Sequence, residues 1–262
     1  MTARDARILL ADIETAPITA HVWGLRDQNI GLNQVIEGDR MIGFGAKWYD
    51  RPKSTVKFYS EYHNTADEMV ERAHELLDLA DIVVHFNGKR FDTPWFNTEF
   101  ARRGMKPPSP FKQIDLYQVV RKNFRFPSYK LAHVSKFFLN DTKVAHTGHQ
   151  MWVDCLLGDE ETRRKAWNLM AKYCKQDVAL LGPLLDELRP WVGTAFPNLA
   201  LYGEGSARPS CPACGSENLQ ARGWAVSTTR RYRRFQCQVC GSWTRDTAAD
   251  KDVQAKSQAV VR

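Results

Sequence analysis

Two carboxylates, Asp12 and Glu14, follow an apolar run in the segment RILLADIETAP. Residues two apart on a strand share a face, so these two side chains are predicted to be close neighbours. Like charges held together repel unless a cation lies between them, and hard divalent ions such as magnesium prefer carboxylate oxygens. A polar strand end that runs into a turn at 15–17 is the simpler alternative. The segment therefore raises the hypothesis of a metal site.

Further carboxylates stand in two later segments. Asp92 lies at the predicted start of a helix, where an aspartate commonly serves as the N-cap without any metal. Tyr173 and Asp177 are four residues apart in LMAKYCKQDVALL, so they share the inward face of a predicted helix. A carboxylate on that face is costly to bury unless it is paired or bound to a metal. A Tyr–Asp pair at a helix edge is the alternative, and each signal alone leaves both interpretations open.

The C-terminal part of the chain carries two Cys-x-x-Cys pairs, each followed by a glycine and separated by 22 residues. This spacing is typical of a zinc ribbon, in which four thiolates close the coordination sphere of one structural Zn²⁺. Disulfides are the weaker alternative, because the N-terminal segment lacks the pattern of a secretory signal. The predicted ligands are Cys211, Cys214, Cys237 and Cys240. Two further cysteines, Cys155 and Cys174, are expected to be buried small residues.

A basic segment, WAVSTTRRYRRFQ, lies between the cysteine pairs and is predicted to form a hairpin that turns near 227–229. Its arginines bind phosphate well and its aromatic rings can stack on bases, a combination that suits single-stranded nucleic acid. Residues 206–262 carry ten basic and four acidic residues, whereas residues 1–205 are nearly neutral with 27 and 26. A solvated hairpin or a protein-docking surface is the alternative. The predicted contacts are Arg230, Arg231, Tyr232, Arg233 and Arg234.

The elements that must position these residues follow from hydrophobic periodicity. Strands are predicted at 6–13, 40–48, 54–60, 81–86 and 111–117, and helices at 65–80, 93–103, 128–139, 151–157 and 160–189. This order predicts an α/β domain with a mixed sheet and flanking helices. We expect that domain at 1–192, a linker rich in Gly, Pro and Ser at 193–209, the ribbon at 210–246 and a disordered tail at 247–262. No long apolar run is present, so a cytoplasmic protein without membrane contact is expected, of bacterial or viral source.

Together these motifs resemble the DEDDy branch of the DnaQ-like 3′–5′ exonucleases, which share the ribonuclease H-like fold. In particular, they resemble the proofreading exonuclease domain of family B DNA polymerases. It rests on the Asp-x-Glu pair, on HFNGKRFDTPWF and on YCKQDVALL, and it covers roughly residues 6–190. One departure is Arg90, where the family often has an asparagine; this difference concerns local substrate contacts and not the metal site.

The resemblance implies a catalytic site that holds two Mg²⁺ or Mn²⁺ ions. Asp12 would bridge both ions, and Glu14 and Asp177 would complete one site. Asp92 would hold the second ion through water. Tyr173 would orient the attacking water by a hydrogen bond.

Substrate contacts are also implied by the resemblance. Asn87 and Phe91 would contact nucleic acid, and Trp95 and Phe96 would either shape the pocket for the terminal nucleotide or belong to the helix core. The remaining acids are assigned to caps and surface, namely Asp81, Asp115 and Asp154.

The expected activity is hydrolysis of single-stranded or frayed DNA to nucleoside 5′-monophosphates during replication or repair. Two alternatives stay open: an exoribonuclease on the same fold, and a nucleic-acid-binding adaptor whose nuclease site is unused. The complete set of acids argues against the adaptor. A ribbon that docks on a replication protein is compatible with the exonuclease.

Overall fold

The structure is a computed structural model that describes residues 5–49, 55–141, 148–202 and 208–254. Its strands are β1 Ile8–Ala16, β2 Thr19–Ala20, β3 Val35–Glu37, β4 Arg40–Trp48, β5 Lys57–Ser60, β6 Ile82–His85, β7 Lys112–Asp115, β8 Leu219–Val226, β9 Arg231–Cys237 and β10 Trp243–Arg245. Its helices are α1 Ala66–Leu79, α2 Asp92–Arg102, α3 Leu116–Asn123, α4 Leu131–Leu139, α5 His149–Leu157, α6 Glu160–Val192 and α7 Lys251–Gln254.

A five-stranded mixed sheet in the order β5-β4-β1-β6-β7 organises the larger part of the chain. The central strand β1 pairs antiparallel with β4 and parallel with β6, which in turn pairs parallel with β7. Alternate residues of β1, such as Leu9 and Ile13, join the buried core that includes α1 and α2. Thr65 caps α1, where its side chain accepts a hydrogen bond from the Glu68 amide. The predicted α/β fold with a mixed central sheet is confirmed.

Helix α3 is an element that the sequence analysis missed. A single strand was predicted at 111–117, but β7 ends at Asp115. The Asp115 carboxylate accepts hydrogen bonds from the amides of Tyr117 and Gln118, at 3.1 and 3.4 Å, and so starts α3 as its N-cap. Asp115 is also buried, so of the two roles expected for the remaining acids, cap or surface, it has that of a helix cap.

Two other acids have local structural partners. Asp81 accepts a hydrogen bond from the amide of Arg7 at 2.7 Å, and Asp154 accepts one from the side chain of Gln150 at 2.7 Å. Both contacts are consistent with the structural roles predicted for these residues.

The chain divides into two compact units. One comprises Arg7–Leu184; the other comprises Met1–Ala6 and Leu185–Arg262, of which 5–6, 185–202 and 208–254 are described. The division falls inside α6, whereas the predicted domain boundary lies at 192. Within the predicted linker the structure describes 3-10 turns at Gly193–Ala195 and Leu199–Leu201, and residues 203–207 lie outside the described part.

The C-terminal unit contains a three-stranded antiparallel sheet in the order β10-β9-β8. The Ser227 amide donates to the Arg230 carbonyl at 2.8 Å, so the predicted hairpin turn is present. Arg189, on the last turns of α6, donates to the Ala213 carbonyl at 2.6 Å and fixes the first cysteine loop within this unit.

The tail differs from its prediction as a disordered segment. The Asp250 amide donates to the carbonyl of Arg231 at 2.8 Å, and the short helix α7 follows directly. The predicted tail therefore has defined structure as far as 254, and residues 255–262 lie outside the described part of the chain. Among the described helices, none combines the length and apolar character needed to cross a bilayer.

Candidate active site and cysteine cluster

Strand β1 places Asp12 and Glu14 on the same face. Both residues lie within the strand rather than at its end, opposite Gly45 and Gly43 of β4 respectively. Ligand atoms of Asp12, Glu14 and Cys174 all lie within 4.8 Å of one another. Glu14 is only 6% exposed, so its carboxylate is placed where an ion pair or a metal would stabilise it.

Two glycines in β4 allow close packing behind these acids. A Cβ atom at Gly45 would lie 2.7 Å from the Sγ atom of Cys174 and 3.0 Å from a methyl carbon of Val178, both on α6. A Cβ at Gly43 would lie 2.9 Å from the ring of Phe58. Only a residue without a side chain permits α6 to approach the sheet this closely. The approach brings the middle of α6 to the strand that carries Asp12.

The predicted Tyr173 and Asp177 lie on this part of α6. Both line a cleft of about 700 Å³ together with Asp12 and Asn87. Asp177 is 5% exposed. The other residues lining the cleft are Phe86, Tyr117, Ser128, Tyr129, Lys130, Leu131 and Ala132.

Asp92 is the first residue of α2, and the N-cap position belongs to Phe91, which makes no side-chain cap hydrogen bond. The capping interpretation of Asp92 is therefore wrong. The carboxyl group is 4% exposed, and within the described residues its Oδ1 atom has no hydrogen-bond partner. Burial, with the added repulsion of Asp115, raises the pKa of Asp92 to about 7. A nearby cation would relieve this cost by favouring the ionised form.

The turn before α2 is held in place by Asp115. Its carboxylate accepts hydrogen bonds from the amides of Asn87 and Lys89, at 2.9 and 3.3 Å. Asn87 adopts a left-handed backbone conformation with φ 68°, which asparagine tolerates better than most residues. The same Asp115 therefore starts α3 and positions Asn87 at the cleft.

The carboxylates of the site affect the ionisation of Cys174. Burial raises the pKa of the Cys174 thiol, and the charges of Asp12, Glu14, Asp177 and Asp92 raise it further. Four acids from β1, α2 and α6 thus act on one buried group. Cys155 is also fully buried, so the expectation for both of these cysteines is confirmed.

Several predicted substrate residues lie elsewhere. Phe91 is 43% exposed and does not line the cleft. Phe96 is buried in the core, where its ring meets that of Phe44 edge-on at 5.5 Å, and Trp95 packs against the same core. Of the two interpretations given for Trp95 and Phe96, the structure favours the helix core.

The cleft wall formed by α3 and by the segment that leads into α4 contains aromatic residues that sequence reasoning missed. The Arg121 guanidinium lies 5.0 Å from the ring centre of Tyr129 and 5.8 Å from that of Tyr117. Lys130 adds a positive charge to the lining. The mixture of aromatic and basic residues in RKNFRFPSYK was the available signal.

The cysteine cluster is compatible with a zinc ribbon. The Sγ atoms of Cys211 and Cys240 lie 3.6 Å apart, as do those of Cys214 and Cys237, and all four lie within 4.8 Å. Four sulfurs at about 2.3 Å from a tetrahedral Zn²⁺ would be separated by roughly 3.8 Å. All four cysteines are free of disulfides. The donor set therefore fits a single Zn²⁺.

The predicted arginines do not form one patch. Side chains alternate along β9, so Arg231 and Arg233 share one face and Arg234 lies on the other with Tyr232. Arg231 forms an ion pair with Asp250 at 2.6 Å. Arg230 lies in the hairpin turn, where its amide is bonded to the Ser227 hydroxyl.

Comparison with known proteins places the chain in a family. Residues 31–189 match the RNase_H superfamily, and the chain belongs to that family. The structure of the family B DNA polymerase from the hyperthermophilic archaeon Pyrobaculum calidifontis is similar, with a TM-score of 0.54 at 16% identity over 78% of this chain and 28% of that one. A likeness at this identity shows the fold, and the predicted ribonuclease H-like fold is confirmed.

Similar sequence segments occur in DNA polymerases. The DNA polymerase delta catalytic subunit of Glycine max is 32% identical over 99 residues, which are 37% of this chain and 9% of that protein. The corresponding subunit of Caenorhabditis elegans is 39% identical over 75 residues, 29% of this chain and 6% of that protein. DNA polymerase 120R of Invertebrate iridescent virus 3 is 35% identical over 83 residues, which are 30% of this chain and 7% of that protein. The chain spans less than a tenth of these relatives, and the predicted resemblance to family B DNA polymerases is confirmed.

Proposed function

We propose that this protein is a metal-dependent 3′–5′ exonuclease of the DEDDy type that hydrolyses DNA to nucleoside 5′-monophosphates. The observation that carries the proposal is geometric: Asp12 and Glu14 lie side by side next to Cys174, and Asp12, Tyr173 and Asp177 line one cleft. Membership of the RNase_H superfamily and similarity to DNA polymerases support both the chemistry and a role in DNA replication or repair.

The four acids would hold two Mg²⁺ or Mn²⁺ ions. Asp12 would bridge them, Glu14 and Asp177 would complete one site, and Asp92 would support the other through water. The fit is chemical: hard oxygen donors gather at one place, and buried Asp92 has an oxygen atom for which the described residues provide no hydrogen-bond donor. When bound, such ions stabilise the charge that develops on the attacking and leaving oxygens of a phosphodiester.

Tyr173 would position the attacking water. Its ring lies against the apolar cluster of Ile42 and Trp167, and the residue also lines the cleft. A phenol is a poor base at neutral pH, so its contribution is a hydrogen bond that orients the water. We expect Tyr173→Phe to lower kcat about tenfold and leave KM unchanged, since the general contribution of one positioned hydrogen bond is about 1–2 kcal/mol. A kcat equal to that of the parent enzyme would remove the tyrosine from the mechanism.

The cleft would hold the 3′ end of a single strand. Asn87 and Lys130 offer an amide and an ammonium group to the sugar-phosphate backbone, and Tyr117 and Tyr129 offer rings on which bases stack. Frayed or single-stranded DNA suits such a cleft, because stacking requires unpaired bases.

The four cysteines would hold one structural Zn²⁺, and the ribbon would add affinity for nucleic acid. Thiolate ligands that leave no open position support a structural role for the ion. The C-terminal excess of basic residues supports contact with a polyanion.

Digestion of end-labelled substrates tests the proposal. Single-stranded DNA, duplex DNA with a frayed end and RNA of the same sequence are incubated with magnesium, and the products are resolved by length. The matched control is Asp177→Asn, which preserves shape and removes the charge. We expect stepwise shortening of 5′-labelled DNA and release of 3′-labelled mononucleotide. Digestion of RNA alone would make the protein an exoribonuclease, and binding without any digestion would make it an adaptor.

A further inference from the structure

The C-terminal unit contains a cavity of about 520 Å³. It is lined by one face of the ribbon sheet and by the segment from Arg189 to Phe196. Cavities of a few hundred cubic ångströms accommodate ligands of nucleotide size. Three of the lining side chains suit a nucleotide chemically, namely Arg234, Trp243 and Arg245.

Strand register places these side chains together. Arg245 of β10 is directly opposite Arg234 of β9, and Trp243 is opposite Gln236. Directly opposite residues share a face, as do residues two apart along one strand. Arg234, Trp243, Arg245 and Tyr232 therefore occupy the same face of the sheet, the one that borders the cavity.

The two arginines on this face carry positive charge that no described carboxylate neutralises. In the described part of the chain neither Arg234 nor Arg245 forms an ion pair, whereas Arg231 on the opposite face is paired with Asp250. The Arg245 guanidinium lies 3.8 Å from the ring centre of Tyr232, and that of Arg234 lies 4.9 Å from the ring centre of Trp243. These stacking contacts orient the guanidinium groups and leave their charge available to an anion.

Trp243 supplies an apolar surface beside these charges. The residue is 50% exposed and borders the cavity. The Arg234 Nε also donates to the Arg222 carbonyl at 3.0 Å, which leaves the charge without a described carboxylate partner. A half-exposed ring beside two such guanidinium groups matches a ligand that is flat and aromatic in one part and anionic in the next. A nucleotide of a single strand has this composition.

We propose that this cavity binds one nucleotide of single-stranded nucleic acid, with its base on Trp243 and its phosphate on Arg234 and Arg245. The choice of ligand class rests on the proposed function, because the cleft lined by Asp12 and Asp177, the acid cleft, would act on the same kind of polymer. The site excludes Arg230, in the hairpin turn, and Arg233, on the opposite face.

Binding of a fluorescent oligothymidylate to the full-length protein tests this site. The measurement uses an Asp12→Asn background without added magnesium to prevent cleavage, and anisotropy is recorded at several salt concentrations. The test pair is Arg234→Gln with Arg245→Gln; the matched control is Arg230→Gln with Arg233→Gln, which removes the same charge. We expect the test pair to weaken binding at least tenfold and the control pair about twofold or less. The slope of log affinity against log salt should fall by about 0.7 for the test pair, since both arginines bind the same phosphate and each phosphate contact contributes about 0.7.

Trp243→Ala should weaken binding about tenfold with an unchanged salt slope, and Trp243→Phe should restore most of the affinity, because stacking needs a ring and not a charge. Retention of one zinc per chain in each variant shows that the ribbon is folded. Equal losses for the two arginine pairs would overturn the proposal in favour of a diffuse basic surface. Displacement of the oligonucleotide by equimolar thymidine monophosphate would overturn it in favour of a free-nucleotide site.

The outcome is separable from the proposed function. Hydrolysis of a pentanucleotide by the parent protein and by the Arg234/Arg245 variant, in magnesium, reports on the acid cleft alone. If the pentanucleotide is hydrolysed and both arginine pairs lose the same affinity, the nucleotide site in the cavity is rejected and the proposed nuclease function stands. If the pentanucleotide is not hydrolysed but the Arg234/Arg245 pair alone loses affinity, the nucleotide site stands and the proposed nuclease function is rejected.

Discussion

The acid cleft and the cysteine ribbon differ in what holds their functional groups in place. The predicted metal-binding acids in and beside the cleft come from β1, α2 and α6, next to a framework of buried apolar residues such as Leu9, Phe44 and Phe100. In the ribbon, the hydrophobic cluster that the structure describes consists of Cys211, Ala213 and Cys237, with Cys214, Leu219 and Cys240 against it. The carboxylates of the cleft lie beside a separate apolar core. In the ribbon, the cysteines that would bind zinc are themselves the main core residues.

This difference has an energetic consequence. Burying Glu14, Asp92 and Asp177 costs the first unit stability, which its large apolar core offsets. The ribbon has little apolar surface to bury, and small domains of this kind depend on a metal. Loss of a ligand should therefore abolish chemistry in one region and structure in the other.

The largest effect is expected for Asp12→Asn. The amide keeps the size of the side chain and removes a charge that lines the cleft, so hydrolysis should fall by about 10³-fold or more while the folded state remains. Rates on labelled single-stranded DNA and urea unfolding curves measure the two quantities. Asp5→Asn, at an exposed position, is the matched control. Unfolding of the variant under native conditions would contradict the view that the acids are added to an independent core.

The second effect concerns the ribbon. We expect Cys211→Ser to lose the bound zinc and the protection of the β8–β10 amides against hydrogen exchange, because the ligand is also a core residue. Hydrolysis of a short oligonucleotide should change less than twofold. Ser210→Ala, beside the same ligand, should retain both zinc and protection. Full amide protection in zinc-free Cys211→Ser protein would show that the ribbon has a core of its own.

The third effect is a pH dependence in the first unit. The pKa of Asp92 is raised to about 7 in the folded state, so the folded protein binds this proton more tightly than the unfolded chain does. Its contribution to stability is complete below about pH 4 and is lost as the pH rises through about 7. Without added magnesium or manganese, the free energy of unfolding should fall over this range by about 1.4 kcal/mol per unit of pKa shift, or a few kcal/mol in total.

Asp92→Asn should remove most of this decline, because an amide does not ionise. Hydrogen exchange in urea, followed in peptides from β1 and α2, separates this unit from the ribbon. Asp154→Asn, whose partner is the Gln150 side chain, should leave the decline unchanged. An equal decline in the parent and in Asp92→Asn would show that Asp92 is ionised at all these pH values.

The smallest effect is expected from the packing behind the acids. Gly45→Ala would place a methyl group 2.7 Å from the Sγ atom of Cys174, and overpacking of this kind costs about 1–3 kcal/mol. Cys174→Ala removes the obstructing sulfur, so the double variant should recover about 1 kcal/mol of the loss, measured as a double-mutant cycle in urea. Gly38→Ala, where a Cβ meets no atom within 4 Å, is the control. Additive effects at 45 and 174 would show that the contact does not limit the approach of α6.

Local signals in the sequence predicted much of the molecule. Alternating and helical periodicity predicted the mixed sheet and most of the helices, because each side chain pattern reflects a face that must be buried. The element at 111–117 was predicted incorrectly. In a sequence, an aspartate that ends a strand cannot be told from one that starts a helix, because the difference lies in the backbone conformation of the residues that follow. The roles of Asp12, Glu14 and Asp177 as metal ligands remain predictions. Their positions in the structure are consistent with these roles.

By itself, the sequence determined the features that depend on neighbouring residues. The spacing of Cys211 and Cys214 is one, and the shared face of Asp12 and Glu14 is another, because a turn or a strand fixes such distances within a few residues. Only the tertiary structure decided that Asp92 is buried without capping α2, that Asp115 holds the turn at Asn87, and that the basic hairpin divides between two faces. These features depend on contacts between residues distant along the chain, and their energies are set by burial and by strand register, which no local pattern encodes.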